Sequence, residues 1–378
     1  MKKSVLLIFA ALASMPVCAQ NPRFLPNHLA VLQAGDGVVS LKLKQAPIFI
    51  DQYDPAGLNT APSFAARIPT NGAGSFFFNG HAATEGGLTR SADRQLLVFA
   101  GYGGVNLLEQ RGTPSMLDLQ RGFCTVAVDG TPHTFFYGLN DPLEKMNPRG
   151  AATDGANNFW GCGNAGATLF FNPASGKRTV EFDAVRNTRA MRIINHVLYA
   201  TLNGADAIAT DKQAGIYQFT DKYGAPFPLP NQADASISLV VPASAPYTKI
   251  AGFDMNSDGT IAYLADTDAG VQKYVKSGGT WKLACNFSIP SNISAAANHQ
   301  TGCFGLVVDF SGAAPVVYAT TTEGYGGSVN SNRVVRIVDT NATAEVTTVA
   351  QAANANIAFR GIDFTPDTGA GSVSASSK

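Results

Sequence analysis

The chain has 378 residues, with 27 Lys and Arg against 27 Asp and Glu, and 14% of positions are charged beside 45% hydrophobic ones. Such a balanced, charge-poor composition excludes a disordered chain, which needs self-repulsion, and a basic nucleic-acid binder, which needs a phosphate-neutralising field. The 38 Gly and 20 Pro, set among short runs of Val, Ile, Thr, Phe and Tyr, exclude a long-helix protein and point to strands.

Residues 1–19 read as a secretory signal, with Lys2 and Lys3 as its positive start, Val5 to Met15 as its apolar stretch and Val17-Cys18-Ala19 as its small-residue cleavage site. That stretch is shorter than the roughly 20 residues needed to span a bilayer, and no second one follows. The chain is therefore expected to be exported, secreted or periplasmic, with no membrane partner. Beyond Cys18 stand Cys124, Cys162, Cys285 and Cys303, an even set suited to disulfides in an oxidising compartment. Of the three pairings, Cys124 with Cys162 and Cys285 with Cys303 is the expected one, because each pair is close in sequence and falls in adjacent repeat units. Without a CxxC or a Cys/His cluster, zinc is not expected.

The informative feature is self-similarity. Glu85 to Asp93 precedes apolar runs at 96–102, 122–128 and 133–137, and Arg149 to Gly155 precedes runs at 159–163, 165–171 and 178–182. The same order of strand, tight turn and three further strands recurs from Arg189, from Ala251 and from Gly305. Arg360-Gly-Ile-Asp-Phe364 looks like one more first strand with nothing after it, whereas 28–33, 47–53 and 64–68 look like second to fourth strands lacking a first. One blade built from both termini closes the ring, so the expected fold is an all-β propeller of six four-stranded blades, a radial closure that protects its sheet edges. Residues 20–368 would form this single domain and the Gly/Ser/Ala-rich 369–378 a frayed tail. Over 26–366 the repeat averages about 57 residues, so the surplus over compact repeats lies in loops. A seven-bladed ring would need a blade hidden in 101–148 or 223–249.

Three units open their first strand with Arg149, Arg189 and Arg360, and one opens with Glu85. Guanidinium forks recognise carboxylate, sulfate or phosphate, so these positions are candidate ligand contacts around one carboxylate. The alternative is that they cap carbonyls or pair with Asp93, Asp154 or Asp363 of neighbouring blades, since register positions in repeats commonly serve the scaffold. His81 and His299, in loops leading to first strands, are candidate general bases beside Glu85. Tyr102 and Tyr325, each in Gly-Tyr-Gly, could stack on sugar rings. Phe76-Phe77-Phe78 either joins that platform, plugs the channel or staples its loop to the core. Asp254-Met-Asn256-Ser-Asp258-Gly259 imitates the start of a calcium loop, but its twelfth position is Ala265, and it reads as a hairpin turn. No cofactor is expected, with calcium the one alternative.

Ala251-Gly-Phe-Asp-Met-Asn-Ser-Asp-Gly-Thr-Ile-Ala-Tyr-Leu-Ala-Asp-Thr resembles the repeat of secreted bacterial six-bladed propellers of the gluconolactonase-like and NHL types. Thr84-Glu85-Gly86 is similar to the Glu-Gly of the lactonase group, where the resemblance implies a metal-binding carboxylate; that pattern has Asn-Gly where this chain has Ala251-Gly252. Fold similarity does not transfer function. The expectation is a monomeric binder of an anionic or carbohydrate-like ligand at the Arg-lined face. The alternatives are a polysaccharide lyase, hydrolase or lactonase-like enzyme using the same residues, or a protein-interaction scaffold.

Overall fold

The computed structural model describes residues 22–42, 45–103, 119–137, 147–164, 169–180, 187–203, 213–220, 236–245, 248–292, 300–323, 332–340 and 344–368. The expected signal segment 1–19 and the expected tail 369–378 lie outside them. The described strands form six antiparallel sheets of four or five strands, plus a two-stranded ribbon of Ile289–Pro290 with Gln300–Thr301. This is the expected six-bladed propeller.

Blade 1 joins the termini: its innermost strand is Ala358–Phe364, followed outward by Leu29–Ala34, Ile48–Tyr53 and Phe64–Arg67. The closing pair is in register from Leu29 opposite Phe364 to Val31 opposite Ile362. The closure continues past the strand, where Thr365 donates its amide to the His28 carbonyl at 2.9 Å. Blades 3 to 6 begin with the inner strands Pro148–Thr153, Thr188–Ile194, Ile250–Met255 and Cys303–Asp309.

Blade 2 departs from the expected pattern. Its second strand, Leu97–Gly103, is edged by two short segments, Thr89–Arg90 at one end and Phe76–Phe77 at the other. The Phe triplet staples its segment to the core, as one of its expected roles, and is not a stacking platform: Phe76, Phe77 and Phe78 are buried in the blade, and Phe76 and Phe78 pack edge-on against Phe99 at 5.7 and 5.8 Å. A stretch of three aromatic residues gains more by burial at a sheet edge than by facing water.

The inner strands meet closely around the axis. A Cβ on Gly361 would stand 2.5 Å from the Gly86 carbonyl oxygen, and one on Gly305 would stand 2.5 Å from that of Arg360. Gly87, Gly150 and Gly252 lean in the same sense on Arg149, Arg189 and Phe304 of the next blade, and blade 4 carries Ala190 in this register. The repeated X-Gly at inner-strand starts is thus a packing collar in which X presents its carbonyl and Gly leaves room for it. Inside, Leu88, Met191, Phe253, Leu306 and Ile362 line a narrow waist with a void of about 20 Å³, space for about one water.

Candidate functional site

At the upper mouth, where the inner strands begin, the structure brings Glu85, Tyr102, Arg149 and Arg360 together, all buried. The Tyr102 hydroxyl donates to Glu85 Oε1 at 2.8 Å and the Asn79 amide to Oε2 at 3.0 Å. Arg360 donates to the carbonyls of Glu85, Asn79 and Gly80 at 3.2–3.3 Å and lies over the Phe78 ring. Arg149 donates to Asn187 Oδ1. Burial pushes the Glu85 carboxyl up to about 7, against the lowering influence of Arg360, Tyr102, the Asn79 amide and Arg149. Burial likewise pushes the Tyr102 phenol up, helped by the adjacent Glu85. Each charged group here is engaged internally. A carboxylate flanked by two guanidiniums, with both oxygens accepting hydrogen bonds, does not fit the metal ligand that the lactonase resemblance implied.

Arg189 is half-buried near Cys162, on which it and Arg149 both act electrostatically. His81 is exposed, and its amide donates to Asn79 Oδ1 at 3.1 Å. His299 and Tyr325 lie outside the described residues. The expected disulfides are absent: Cys124, Cys162, Cys285 and Cys303 are all free. Cys124 and Cys162 belong to different apolar clusters, one between blades 1 and 2 and the other between blades 3 and 4. Cys285 and Cys303 share a cluster in which each sulfur packs as an apolar side chain. Closeness in sequence is no guide to pairing where neighbouring strands splay radially.

The lower mouth holds Arg90, Arg94 and Arg192, which the sequence did not mark out, together with Asp254 and Asp363, which it offered only as a turn residue and a scaffold partner. Two positions beyond the collar, the inner strands of blades 2 to 6 and then 1 carry Thr89, Ala152, Arg192, Asp254, Val307 and Asp363. Arg192 reaches from blade 4 to Asp363 of blade 1 at 2.9 Å and toward Asp254 of blade 5 at 3.8 Å. Asp363 also takes Arg90 Nε at 3.3 Å and the Arg90 amide at 3.0 Å. Asp367 ties Arg90 at 3.4 Å and Arg94 at 2.9 Å. Asp254, in the calcium-like segment, accepts the amides of Met255 and Val308 at 2.9 Å, and Asn256 caps the hairpin turn that follows. The signal in the sequence was the register itself: Ala190-Met-Arg192, Gly252-Phe-Asp254 and Gly361-Ile-Asp363 place one cation and two anions in a single ring.

Burial pulls the Arg192 pKa down, but Asp254 and Asp363 more than offset this and the net shift is upward. Burial raises Asp254, opposed by Arg192, and burial lowers Arg90, opposed by Asp363. Above this network opens a cavity of about 360 Å³, lined by Arg90, Arg94 and Arg192 and rimmed by Asn195 and His196. Three of its residues are left-handed without being glycine: Arg94 at φ +64°, Asn195 at +48° and His196 at +61°. Such conformations cost of order 1 kcal/mol each and cluster at functional sites.

No protein-family model matches the chain. No curated protein matches it either. Among solved structures, a chain of the COPII outer-coat vertex on membranes is similar at 12% identity over 70% of this chain and 64% of that one, with a TM-score of 0.44. A Bacteroides uniformis protein described as a 6-phosphogluconolactonase is similar at 13% identity over 86% of this chain and 82% of its own, with a TM-score of 0.43. Kuenenia stuttgartiensis hydrazine synthase is similar at 11% identity over 70% and 66%, with a TM-score of 0.39. The chain spans less than two thirds of the COPII chain. At these scores the likenesses carry no functional weight.

Proposed function

We propose that the protein is an exported ligand-binding propeller that takes a small anionic ligand, such as a sugar acid or another carboxylate, in the lower-mouth cavity. The observation that carries this reading is the convergence of the Arg90, Arg94 and Arg192 side chains on one open cavity of about 360 Å³. That size falls within the range of small-molecule sites, about 300–1,000 Å³. A guanidinium has five N–H donors, and the carboxylates hold each of these three in place while using only some of them. The upper mouth supports binding less well, because Arg149 and Arg360 are buried on internal acceptors.

Calorimetric titration of the protein with glucuronate, inorganic sulfate and simple carboxylates tests the proposal. Arg94 is the natural probe, being 56% exposed and outside the buried part of the network. Asn tolerates its left-handed backbone, so Arg94→Asn should weaken binding about tenfold with little loss of stability. Absence of binding by every anion in the set, or binding indifferent to Arg94→Asn, would overturn the proposal.

A further inference from the structure

The lower cavity is two-faced, and this bears on what it binds. Its cations stand on blades 2 and 4, as Arg90, Arg94 and Arg192. Its apolar lining comes from blades 6 and 1, as Val307, Phe310 and Phe364, with the Arg90 guanidinium over the Phe364 ring at 5.5 Å, while blade 5 adds Asp254, Met255 and Ser257. Going around the ring, the cationic blades flank blade 3, from which none of the described residues lines the cavity, and Phe310 of blade 6 lies across the axis from it. The aromatic wall is held from behind. Phe310 packs on Tyr263 with ring centroids 6.0 Å apart, and the Tyr263 hydroxyl donates to Asp339, which Lys273 holds at 2.5 Å. Phe364 packs edge-on against Tyr318 at 6.0 Å. A half-exposed ring fixed by a second ring is a preformed apolar surface, which costs little entropy to cover.

Resting on the anion-binding reading, we infer that the ligand is an amphiphilic organic anion: one carboxylate or sulfonate against the guanidiniums, joined to an apolar ring or short chain against Phe310 and Phe364. An inorganic anion leaves the aromatic wall wet. A sugar acid sets hydroxyls against Val307, Phe310 and Phe364, which offer them no partner, and leaves only Ser91, Asn195, His196 and Ser257 to meet them. The cavity of about 360 Å³ has room for only a short apolar part.

The test compares phenylacetate, hexanoate, glucuronate and inorganic sulfate by calorimetry on the full chain. The three organic probes carry the same single charge, so their differences report the apolar wall. Covering roughly 60–80 Å² of apolar surface should make phenylacetate and hexanoate ten- to thirtyfold tighter than glucuronate. Phe310→Ala should remove most of that preference while leaving sulfate binding unchanged; Phe310→Leu, which keeps the packing on Tyr263, should retain part of it. Glucuronate binding as tightly as phenylacetate in the unmodified protein overturns the inference while leaving the anion site standing. A preference that survives both substitutions also overturns it. Failure of all four probes to bind sinks the anion site itself and this inference with it.

Discussion

The Arg192 guanidinium donates to the Asp363 carboxylate at 2.9 Å, and this one contact ties blade 4 to blade 1 across the axis of the ring. Asp363 is fully buried and serves Arg90 as well. Removing its charge would leave the largely buried Arg90 without its main counter-ion and Arg192 with only the more distant Asp254. Breaking a buried pair from one side costs about 3–5 kcal/mol. Asp363→Asn should therefore lose stability of that order in urea denaturation. Asp367→Asn, at a carboxylate still 24% exposed, should lose about 1 kcal/mol or less. Equal and small losses for the two variants would show that the cross-axis tie contributes little.

The glycine collar makes a prediction of its own. At Gly361 a methyl group would meet the Leu88 amide nitrogen at 2.2 Å as well as the Gly86 carbonyl at 2.5 Å, so the obstacle is backbone on the neighbouring blade. The hydrogen bond from the Gly361 amide to the Gly86 carbonyl, 2.8 Å, would have to stretch. Overpacking of this kind costs about 1–3 kcal/mol or more. Gly361→Ala should lower the melting temperature clearly, whereas Ala190→Gly, in the same register, should cost no more than about 1 kcal/mol. A thermal melt of Gly361→Ala that matches the unmodified protein would mean that the blades are free to part.

Much of the fold was legible because its signals are local. Short apolar runs bounded by turn residues gave the strands, and the unmatched Arg360 to Phe364 segment disclosed the closing blade. Blade 2 was harder to read, since Phe76–Phe77 is a two-residue strand too short to show any period. At the site, the sequence showed Arg149 and Arg360 recurring beside glycine. Whether such a side chain faces solvent or an internal acceptor depends on how loop 79–88 returns over Arg360 and on where Asn187 falls beside Arg149, which no local pattern encodes. The lower mouth was encoded more openly, in Arg192, Asp254 and Asp363 at one register, but charges inside apolar strands are conspicuous only once the strands are aligned around an axis.

Thiol chemistry separates the observed cysteines from the expected disulfides. Cys124, Cys162 and Cys303 are buried, and burial pushes their thiols up, Cys162 to about 11. Neither access nor thiolate is available to a reagent at neutral pH. Cys285 is half-buried and is the one expected to react, slowly, among these four in the native protein. In denaturant without reductant all four should titrate. Recovery of none or two of them would restore one or both of the disulfides.

At the rim of the lower cavity, Asn195-His196 forms the two-residue connection between Ile194 and Val197, with both residues left-handed. This is the geometry of a type I′ hairpin, in which Gly is favoured where His196 stands. His196→Gly should relieve the strain and stabilise the protein by about 1 kcal/mol, read as a higher denaturant midpoint. If His196 is held there for the ligand, the same variant should bind carboxylates several-fold more weakly. A variant that is stabilised and binds unchanged would detach His196 from the site.

Glu85 should make the protein less stable as pH rises. Its carboxyl is raised to about 7 in the fold, whereas in the unfolded chain it titrates near the ordinary 4.5. Below about 4.5 it is protonated in both states and adds no cost. Between 4.5 and 7 the unfolded chain ionises freely while the folded chain keeps its proton, so stability falls with rising pH and levels off above about 7. A shift of this size corresponds to at most about 3 kcal/mol. Asp51, buried and likewise raised to about 7, acts with the same sign. Glu85→Gln should therefore flatten the stability profile over pH 4.5–7.5 in part, and Glu85→Gln with Asp51→Asn should flatten it further. Tyr102→Phe removes a hydrogen bond to the ionised form and should steepen the fall. Urea midpoints measured across that range decide the matter, and a profile for Glu85→Gln that tracks the unmodified protein would place the buried proton on another group.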